Sequence, residues 1–349
     1  MKSDAESRKP KVNAEPFFLN SDPDAQVEQS WKRGVVMASC QNIVRRLSDM
    51  PANILTPVRF AAAAKELLQG LDSVEVICHD KAWATQQKMG AFLSVAEGSD
   101  QPPMFVEVHL KPSGKTIDGP VVLVGKGVCF DSGGISLKPS RSMDEMRADM
   151  AGAALVLSTI YGLAKLQTPL NREVIALMPM VENMPSGKAT KPGDIVYSRS
   201  GKSIKIDNTD AEGRLILADA LSYADDFSPS HVIDLATLTG AIRISLGSAA
   251  AGVFTNDDQL WTSLLKASIE TGDRVWRLPL FQYFSSALKT SAADFDNISK
   301  PAMATMGGSS VAAAFLKEFT KCSSWAHVDI AGVAMGYSEL TYLPSGMMG

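Results

Sequence analysis

Apolar residues follow two alternating patterns along the chain. Consecutive apolar runs, typical of strands buried on both faces of a sheet, predict strands at 74–78, 104–110, 120–125, 173–178, 204–206, 231–238 and 325–330. Apolar residues at helical spacing predict helices at 31–49, 57–68, 80–95, 147–166, 215–221, 258–270 and 310–320. This alternation predicts an α/β fold with a mostly parallel or mixed central sheet flanked by helices.

The first 30 residues are polar, and we interpret 1–30 as an N-terminal arm ahead of one domain over 31–349. At 349 residues, 45% hydrophobic and 21% charged, the chain has the composition of a globular protein with a large core. No run of 18 uncharged apolar residues occurs, so we predict no membrane span. The net charge of −4 and the short basic runs argue against nucleic acid as a partner.

The four cysteines, Cys40, Cys78, Cys129 and Cys322, are far apart and include no CxxC pair. Each lies in or beside an apolar stretch, so we predict buried free thiols and a reducing compartment. The first residues lack the apolar segment of a secretory signal. We predict a cytoplasmic protein, with the mitochondrion as the alternative.

The charged stretch Asn208-Thr209-Asp210-Ala211-Glu212-Gly213-Arg214-Leu215 lies between a predicted strand and a predicted helix. Two carboxylates and a guanidinium within five residues must be solvated, paired or bound to a metal. The stretch alone is equally consistent with a charged surface loop that caps a helix. Other charged residues must converge on it if it is a site.

A second charged stretch follows the strand 120–125. It contains Lys126, Asp131 and Lys138 in a glycine-rich segment, where glycines permit positive φ and close backbone approach. A solvated turn would explain the charges. However, the apolar run 128–130 between them indicates partial burial, where an unpaired charge is costly.

Asp149 is predicted at the start of the helix 147–166, where an acidic residue commonly complements the helix dipole. Together with Asp131, Asp210 and Glu212 it makes four carboxylates near strand ends or helix starts of one predicted sheet, where chemistry collects in α/β folds. Such a cluster repels itself unless cations neutralise it. Two divalent ions would do so and would form a hydrolytic centre; the oxygen-rich set suits Mn²⁺, Mg²⁺ or Zn²⁺.

The stretch 208–215 resembles the signature of the leucyl aminopeptidase, or cytosol aminopeptidase, family of dimetal exopeptidases. The similarity covers about residues 31–348 and includes several further motifs in order: 124–134, Met146-Arg147-Ala148-Asp149-Met150, Glu182-Asn183-Met184-Pro185-Ser186-Gly187, Lys191-Pro192-Gly193-Asp194 and Asp234-Leu235-Ala236-Thr237-Leu238-Thr239-Gly240. The resemblance implies a single catalytic domain and a metal-dependent aminopeptidase that removes N-terminal, leucine-like residues from peptides.

The resemblance also implies a role for each matching residue. Asp131 and Glu212 would bridge two metal ions, Lys126 and Asp149 would complete one site, and Asp210 would complete the other. Lys138 would polarise the scissile carbonyl, and Arg214 would hold a bicarbonate that acts as the base. Met146, Thr237 and Leu238 would border the pocket for the first residue of the substrate.

Members of this family also carry a further N-terminal domain and assemble as hexamers. Only residues 1–30 precede the matching part here, so we expect that domain to be largely absent, either in a fragment or in a naturally short relative. A homo-hexamer is expected by resemblance. A catalytically silent scaffold that keeps the fold is the alternative function. A hydrolase that uses Ser132 with Lys126 or Lys138 is a weaker alternative, because it leaves the four carboxylates unexplained.

Overall fold

The computed structural model describes residues 25–114, 116–300, 306–336 and 346–349. Residues 1–24 of the predicted arm lie outside this part of the chain. The first helix begins at Ala25, earlier than the predicted residue 31, and so includes 25–30. No helix in the described part is long and apolar enough to cross a bilayer.

The helices are α1 (Ala25–Ser48), α2 (Pro57–Leu68), α3 (Lys81–Gln86), α4 (Gly90–Ala96), α5 (Ala151–Lys165), α6 (Gly213–Ala224), α7 (Gly240–Leu246), α8 (Asp258–Thr271), α9 (Gln282–Ser286) and α10 (Gly308–Lys317). The strands are β1 (Val74–His79), β2 (Met104–Leu110), β3 (Val121–Gly125), β4 (Gly127–Asp131), β5 (Val174–Asn183), β6 (Ile195–Tyr197), β7 (Ser203–Lys205), β8 (His231–Ala236), β9 (Ala251–Thr255), β10 (Val275–Arg277), β11 (Phe295–Asp296), β12 (Trp325–Asp329), β13 (Met335–Gly336) and β14 (Gly346–Met347).

The central sheet has the order β1-β2-β5-β3-β8-β12-β9-β10, and β4 extends the β3 side by pairing with β5. Strands β5, β3, β8 and β12 run parallel, whereas β1–β2, β2–β5 and β12–β9 are antiparallel. The predicted mixed α/β sheet is therefore confirmed. The parallel centre brings the carboxyl ends of β3, β8 and β12 to one edge.

Helices cover both faces of this sheet. Successive strand residues point to opposite faces, and those on both faces are apolar. On β5, Ile175 and Leu177 face the core beside α4, α6 and α10, while Ala176 and Met178 face the core beside α1, α2 and α5. A small sheet has the order β11-β7-β6; β6 and β7 precede α6, and β11 follows it. Asn297, directly after β11, accepts from Asp207 N and Asn208 N and so supports the loop that carries Asp210.

The structure differs from the predicted elements at several places. The predicted helix 80–95 is two helices, since Lys88 has positive φ and Gly90 packs against the Tyr197 carbonyl. Residues 127–131 form strand β4 rather than a glycine-rich loop. The sequence pattern did not predict α7, β9 or β10. All four cysteines are free thiols, as predicted; Cys129 and Cys322 are buried, and Cys40 and Cys78 are partly exposed.

Candidate functional site

Lys126 occupies the single-residue break between β3 and β4, at the carboxyl edge of the sheet. Its N–H donates to the Leu235 carbonyl of β8 at 3.0 Å, and its carbonyl accepts from Ala153 of α5 at 2.9 Å. The side chain is buried, with 3% exposed. Its Nζ lies 2.8 Å from a carboxylate oxygen of Asp149 and 2.8 Å from one of Glu212.

Asp131 ends β4 and lies beside the second lysine. Lys138 Nζ is 2.8 Å from Asp131 Oδ2 and 2.5 Å from Asp210 Oδ1. The other oxygen of Asp131 accepts from Gly133 N at 2.9 Å and from Asn183 Nδ2 at 2.8 Å. Gly133 has a φ of 88°, and a β-carbon there would lie 2.9 Å from Asp210 Oδ1, so this turn requires glycine.

Asp149 lies between a 3-10 helix, Met143–Ala148, and α5, which begins at Ala151. The sequence predicted Asp149 in the first turn of this helix, whereas the structure places it before α5. Its Oδ1 accepts from Thr237 Oγ1 at 2.7 Å, while Oδ2 is buried and has no hydrogen-bond partner. The Thr237 carbonyl also accepts from Lys126 Nζ at 2.9 Å. Asp149 thus points into the cluster, and its role is not limited to an interaction with the helix dipole.

The loop before α6 is locked to the loop after β4. Thr209 Oγ1 donates to the Gly133 carbonyl at 2.6 Å and accepts from Ser136 N at 2.8 Å. Asp210 N donates to Asn208 Oδ1 at 2.8 Å. These bonds hold Asp210 and, at the residue before α6, Glu212 beside the two lysines.

Arg214, in the first turn of α6, is buried but makes no ion pair with the cluster. Its Nη1 donates to the Asn297 carbonyl at 2.7 Å, and its Nε has no partner. Burial lowers the pKa of the guanidinium to about 10. Asn297 Nδ2 in turn donates to the Asn208 carbonyl at 2.6 Å, so Arg214 is linked to the same loop.

Four carboxylates therefore face two ammonium groups in a mostly buried space. Burial and the neighbouring Glu212 charge raise the pKa of Asp131 to about 6. Burial opposes the charge on Lys126, but the Asp149, Glu212 and Asp131 carboxylates outweigh it and raise the pKa of the lysine. Burial likewise opposes the charge on Glu212, but Lys126 and Lys138 lower its pKa. The excess of carboxylates favours the entry of cations.

Three of these residues are arranged as metal ligands. Asp131, Asp149 and Glu212 are buried, and each offers an oxygen within 4.8 Å of those of the other two. Asp149 Oδ2 and Glu212 Oε2 are buried without a hydrogen-bond partner. Unpartnered buried carboxylate oxygens are costly, and a divalent ion would satisfy them. The residues present therefore fit a divalent metal site.

The predicted substrate residues lie around this cluster. Met146 is half-buried in the 3-10 helix, and its carbonyl accepts from Asp149 N at 3.3 Å. Thr237 and Leu238 follow β8, and both are half-buried. Ser132 Oγ donates to the Asn183 carbonyl at 2.7 Å rather than to a lysine. This contact does not support Ser132 as a nucleophile.

The sequence reasoning assigned no role to three residues that shape the site. Asn183 donates from one amide nitrogen to Asp131 Oδ1 and to the Thr209 carbonyl, at 2.8 and 3.0 Å. Thr209 joins the two ligand loops, and Asp329 holds the loop after β8. Asn183 and Asp329 end the parallel strands β5 and β12. The predicted strands ended at 178 and 330, so the sequence pattern did not mark either residue as a strand end.

The chain is similar to known proteins over the part that contains this site. Residues 42–349 match the model of the cytosol aminopeptidase family, catalytic domain. The chain is 54% identical over 322 residues to the cytosol aminopeptidase of Xenopus tropicalis, a match that covers 92% of this chain and 61% of that protein. Human cytosol aminopeptidase is 53% identical over 324 residues, with coverage of 92% and 62%.

A more distant relative gives the same result. The cytosol aminopeptidase of Dictyostelium discoideum is 46% identical over 343 residues, which cover 96% of this chain and 64% of that protein. The chain thus spans about three fifths of the length of the curated relatives that it matches. The matched part contains every residue of the carboxylate cluster.

Proposed function

Because the chain belongs to the cytosol aminopeptidase family, we propose that it is a metal-dependent aminopeptidase that hydrolyses the N-terminal residue from peptides. The observation that carries the proposal is the buried set Asp131, Asp149 and Glu212, whose oxygens approach one another within 4.8 Å. Two of these carboxylates retain unpartnered oxygens. A cluster of this kind in a family of peptidases supports hydrolysis at a metal centre.

The metal ligands that we propose are the five residues at the centre of the cluster. Asp131 and Glu212 would contact both ions, and Asp210 would complete one site. Lys126 and Asp149 would complete the other, with Lys126 as the neutral amine, because an ammonium group must lose its proton before it can bind a metal. Zn²⁺ and Mn²⁺ are the proposed ions, with Mg²⁺ as a further candidate for these oxygen ligands. When bound, two such ions would activate a water molecule and polarise the peptide carbonyl.

Lys138 and Arg214 would act on the substrate side. The Lys138 side chain is 21% exposed, compared with 3% for Lys126, so its ammonium is the one that a substrate carbonyl could reach. It would stabilise the negative charge that develops on that oxygen. Arg214, whose Nε is unpartnered, would hold a bicarbonate ion as the proton acceptor.

Met146, Thr237 and Leu238 would border the pocket for the first side chain of the substrate, and we propose a preference for apolar, leucine-like residues. Two of the three are apolar, and all three are half-buried beside the cluster. We further propose peptides as the substrates, a homo-hexamer as the assembly and the cytoplasm as the location. The relatives are named cytosol aminopeptidases, which supports the activity and the location.

The first experiment measures hydrolysis of leucine amide and a leucyl peptide after addition of Mn²⁺ or Zn²⁺, together with the metal content of the purified, assembled protein. We expect two ions per chain and metal-dependent release of leucine. Glu212→Gln should abolish turnover, whereas Glu97→Gln, which changes an exposed ion pair with Lys81, should not.

The alternative is a scaffold that keeps the fold without turnover. Protein that binds two ions per chain and assembles, yet releases no leucine, would contradict the proposed activity and favour the scaffold. Near-normal turnover by Glu212→Gln would contradict the two-metal assignment while leaving the activity in place.

A further inference from the structure

Asp329 ends strand β12 as a fully buried carboxylate surrounded by donors. Its Oδ1 accepts from Leu238 N at 3.1 Å, Thr239 N at 3.4 Å and Ala331 N at 3.2 Å. Its Oδ2 accepts from Thr239 Oγ1 at 2.6 Å. Three of these four donors belong to the loop that follows β8. Asp329 therefore fixes the backbone of that loop.

The same loop is joined to the carboxylate cluster by Thr237. The Thr237 carbonyl accepts from Lys126 Nζ at 2.9 Å, and its hydroxyl donates to Asp149 Oδ1 at 2.7 Å. Thr237 thus orients Lys126 and Asp149, which lie on different elements. Asp329 is connected to both residues through these hydrogen bonds and the peptide group between Thr237 and Leu238, although it touches neither directly.

The hydrogen bonds of Asp329 are not needed to cap the following helix, α7. Thr239 already caps α7 with its own hydroxyl, which accepts from Ile242 N at 3.1 Å. Helix α7 therefore has a cap that does not require Asp329. What Asp329 adds is the position of Leu238 and Thr239 relative to β12, and this in turn sets the position of Thr237.

We propose that Asp329 is a positioning residue for the site: it holds residues 237–239 so that Thr237 orients Asp149 and Lys126 and Leu238 faces the substrate. This inference rests on the proposed function. The effect should fall on one ion site only, because Asp131 and Asp210 are held instead by Asn183, Lys138 and the loop at Thr209. Outer residues that orient metal ligands commonly change metal affinity by about 10–100-fold.

The experiment titrates metal-free protein with Mn²⁺ by calorimetry and measures KM and kcat for a leucyl substrate. In Asp329→Ala we expect one of the two ions to bind roughly 10–100-fold more weakly while the other changes by less than about threefold, and KM to rise. Asp329→Asn keeps an acceptor for the three N–H groups and loses only the acceptor for the Thr239 hydroxyl. It should show a smaller loss in the same direction.

Two further variants separate positioning from stability. Asp257→Ala removes a partly exposed aspartate that also accepts from a backbone N–H and a hydroxyl, Gln259 N and Ser324 Oγ, at the start of α8. It should lower stability without changing either metal affinity. Thr237→Val removes the hydroxyl that contacts Asp149. Combined with Asp329→Ala, it should produce less than the sum of the two separate losses, because both act on one path.

The outcomes are distinct. Unchanged metal affinities and KM in Asp329→Ala would overturn the inference while leaving the proposed function intact. If that variant does not fold, unchanged affinities in Asp329→Asn would overturn it equally. Wild-type protein that takes up no divalent ion would overturn the proposed function and this inference together.

Discussion

The side chain of Lys126 passes directly across Gly213. A β-carbon at position 213 would lie 2.5 Å from Lys126 Cε and 2.7 Å from its Nζ, closer than β-carbons approach other atoms in proteins. Gly213 is the first residue of α6, immediately after Glu212, whose carboxylate pairs with the same lysine. The glycine of this charged stretch therefore makes room for the lysine.

The variant Gly213→Ala should displace Lys126 from Asp149 and Glu212. We expect metal affinity and kcat to fall together, with a loss of stability of about 1–3 kcal/mol from overpacking. Metal titration, steady-state kinetics and urea unfolding measure the three effects. Gly187→Ala, at a position where a β-carbon would meet no atom within 4 Å, is the matched control. Equal behaviour of the two variants would contradict this account of Gly213.

A second prediction concerns pH and a polar cluster on the β1–β2 edge of the sheet. His109 places Nδ1 2.8 Å from Glu173 Oε1 and Nε2 2.7 Å from Glu107 Oε1. The other oxygen of Glu107 contacts His79 Nε2 at 2.9 Å and Tyr223 Oη at 3.0 Å. Since both nitrogens of His109 face carboxylates, the contacts favour its doubly protonated, charged form.

These contacts give stability a dependence on pH on both sides of neutrality. Burial opposes the Glu107 charge, but bonds from His109 and His79 lower its pKa from 4.5 to about 2. That contribution is complete above pH 4.5 and is lost as pH falls toward 2. The bond to Glu107 raises the pKa of His109 from 6.5 to about 9, so its contribution is complete below pH 6.5 and is lost as pH rises toward 9.

The variant His109→Gln should therefore remove most of the fall in Tm between pH 6.5 and 9. Thermal unfolding across that range measures it. The control variant is His231→Gln. The imidazole of His231 is hydrogen-bonded to the neighbouring Ser230 hydroxyl, so this variant should keep the wild-type slope. An unchanged slope in His109→Gln would show that other groups set the alkaline limit.

Arg214 provides a third prediction, which depends on the proposed bicarbonate. Arg214→Met keeps much of the side-chain volume but removes the guanidinium and its bond to the Asn297 carbonyl. If the arginine holds the proton acceptor, kcat should fall by about 10²–10⁴ and the response to added bicarbonate should disappear. Rates in bicarbonate-free and bicarbonate-containing buffer measure this. Arg277→Met, which removes an exposed pair with Asp258, should retain the wild-type response.

The buried pair between β8 and β12 provides a fourth prediction. His327 Nδ1 lies 2.5 Å from Asp234 Oδ1, both side chains are fully buried, and Trp325 Nε1 donates to the other oxygen at 2.9 Å. His327→Gln should leave the carboxylate without its charged partner and lower the free energy of unfolding by about 3–5 kcal/mol. Chemical denaturation measures the loss. Lys191→Gln, in a surface pair with Asp194, should change it far less.

Much of the fold could be predicted because apolar runs and helical spacing are strong signals in a large sheet. Strands β1, β2 and β3 and helix α2 lie where the pattern placed them. Strand β4 was mistaken for a loop because its glycine and charged ends resemble a turn. Its pairing with β5 depends on Met180 and Asn183, which are distant in sequence.

The site was predictable to the extent that its residues were charged. Lys126, Asp131, Asp149 and Glu212 stood out because buried charges need partners, and the structure brings them together. The conformation of Asp149 was not predictable, since a 3-10 turn and a helix start have similar sequences. Asp329 carries an ordinary charge at a strand end, and only its four donors reveal its surroundings.

The proposed ligands lie between chain positions 126 and 212, on β4 and on connecting segments that the central sheet brings together. In an unfolded chain these carboxylates are separated by long loops whose closure is entropically costly. We therefore expect an ion to find its ligands only after much of the central sheet has formed. Bound metal should slow unfolding strongly and leave the refolding rate nearly unchanged. It should therefore lengthen the lifetime of the folded protein.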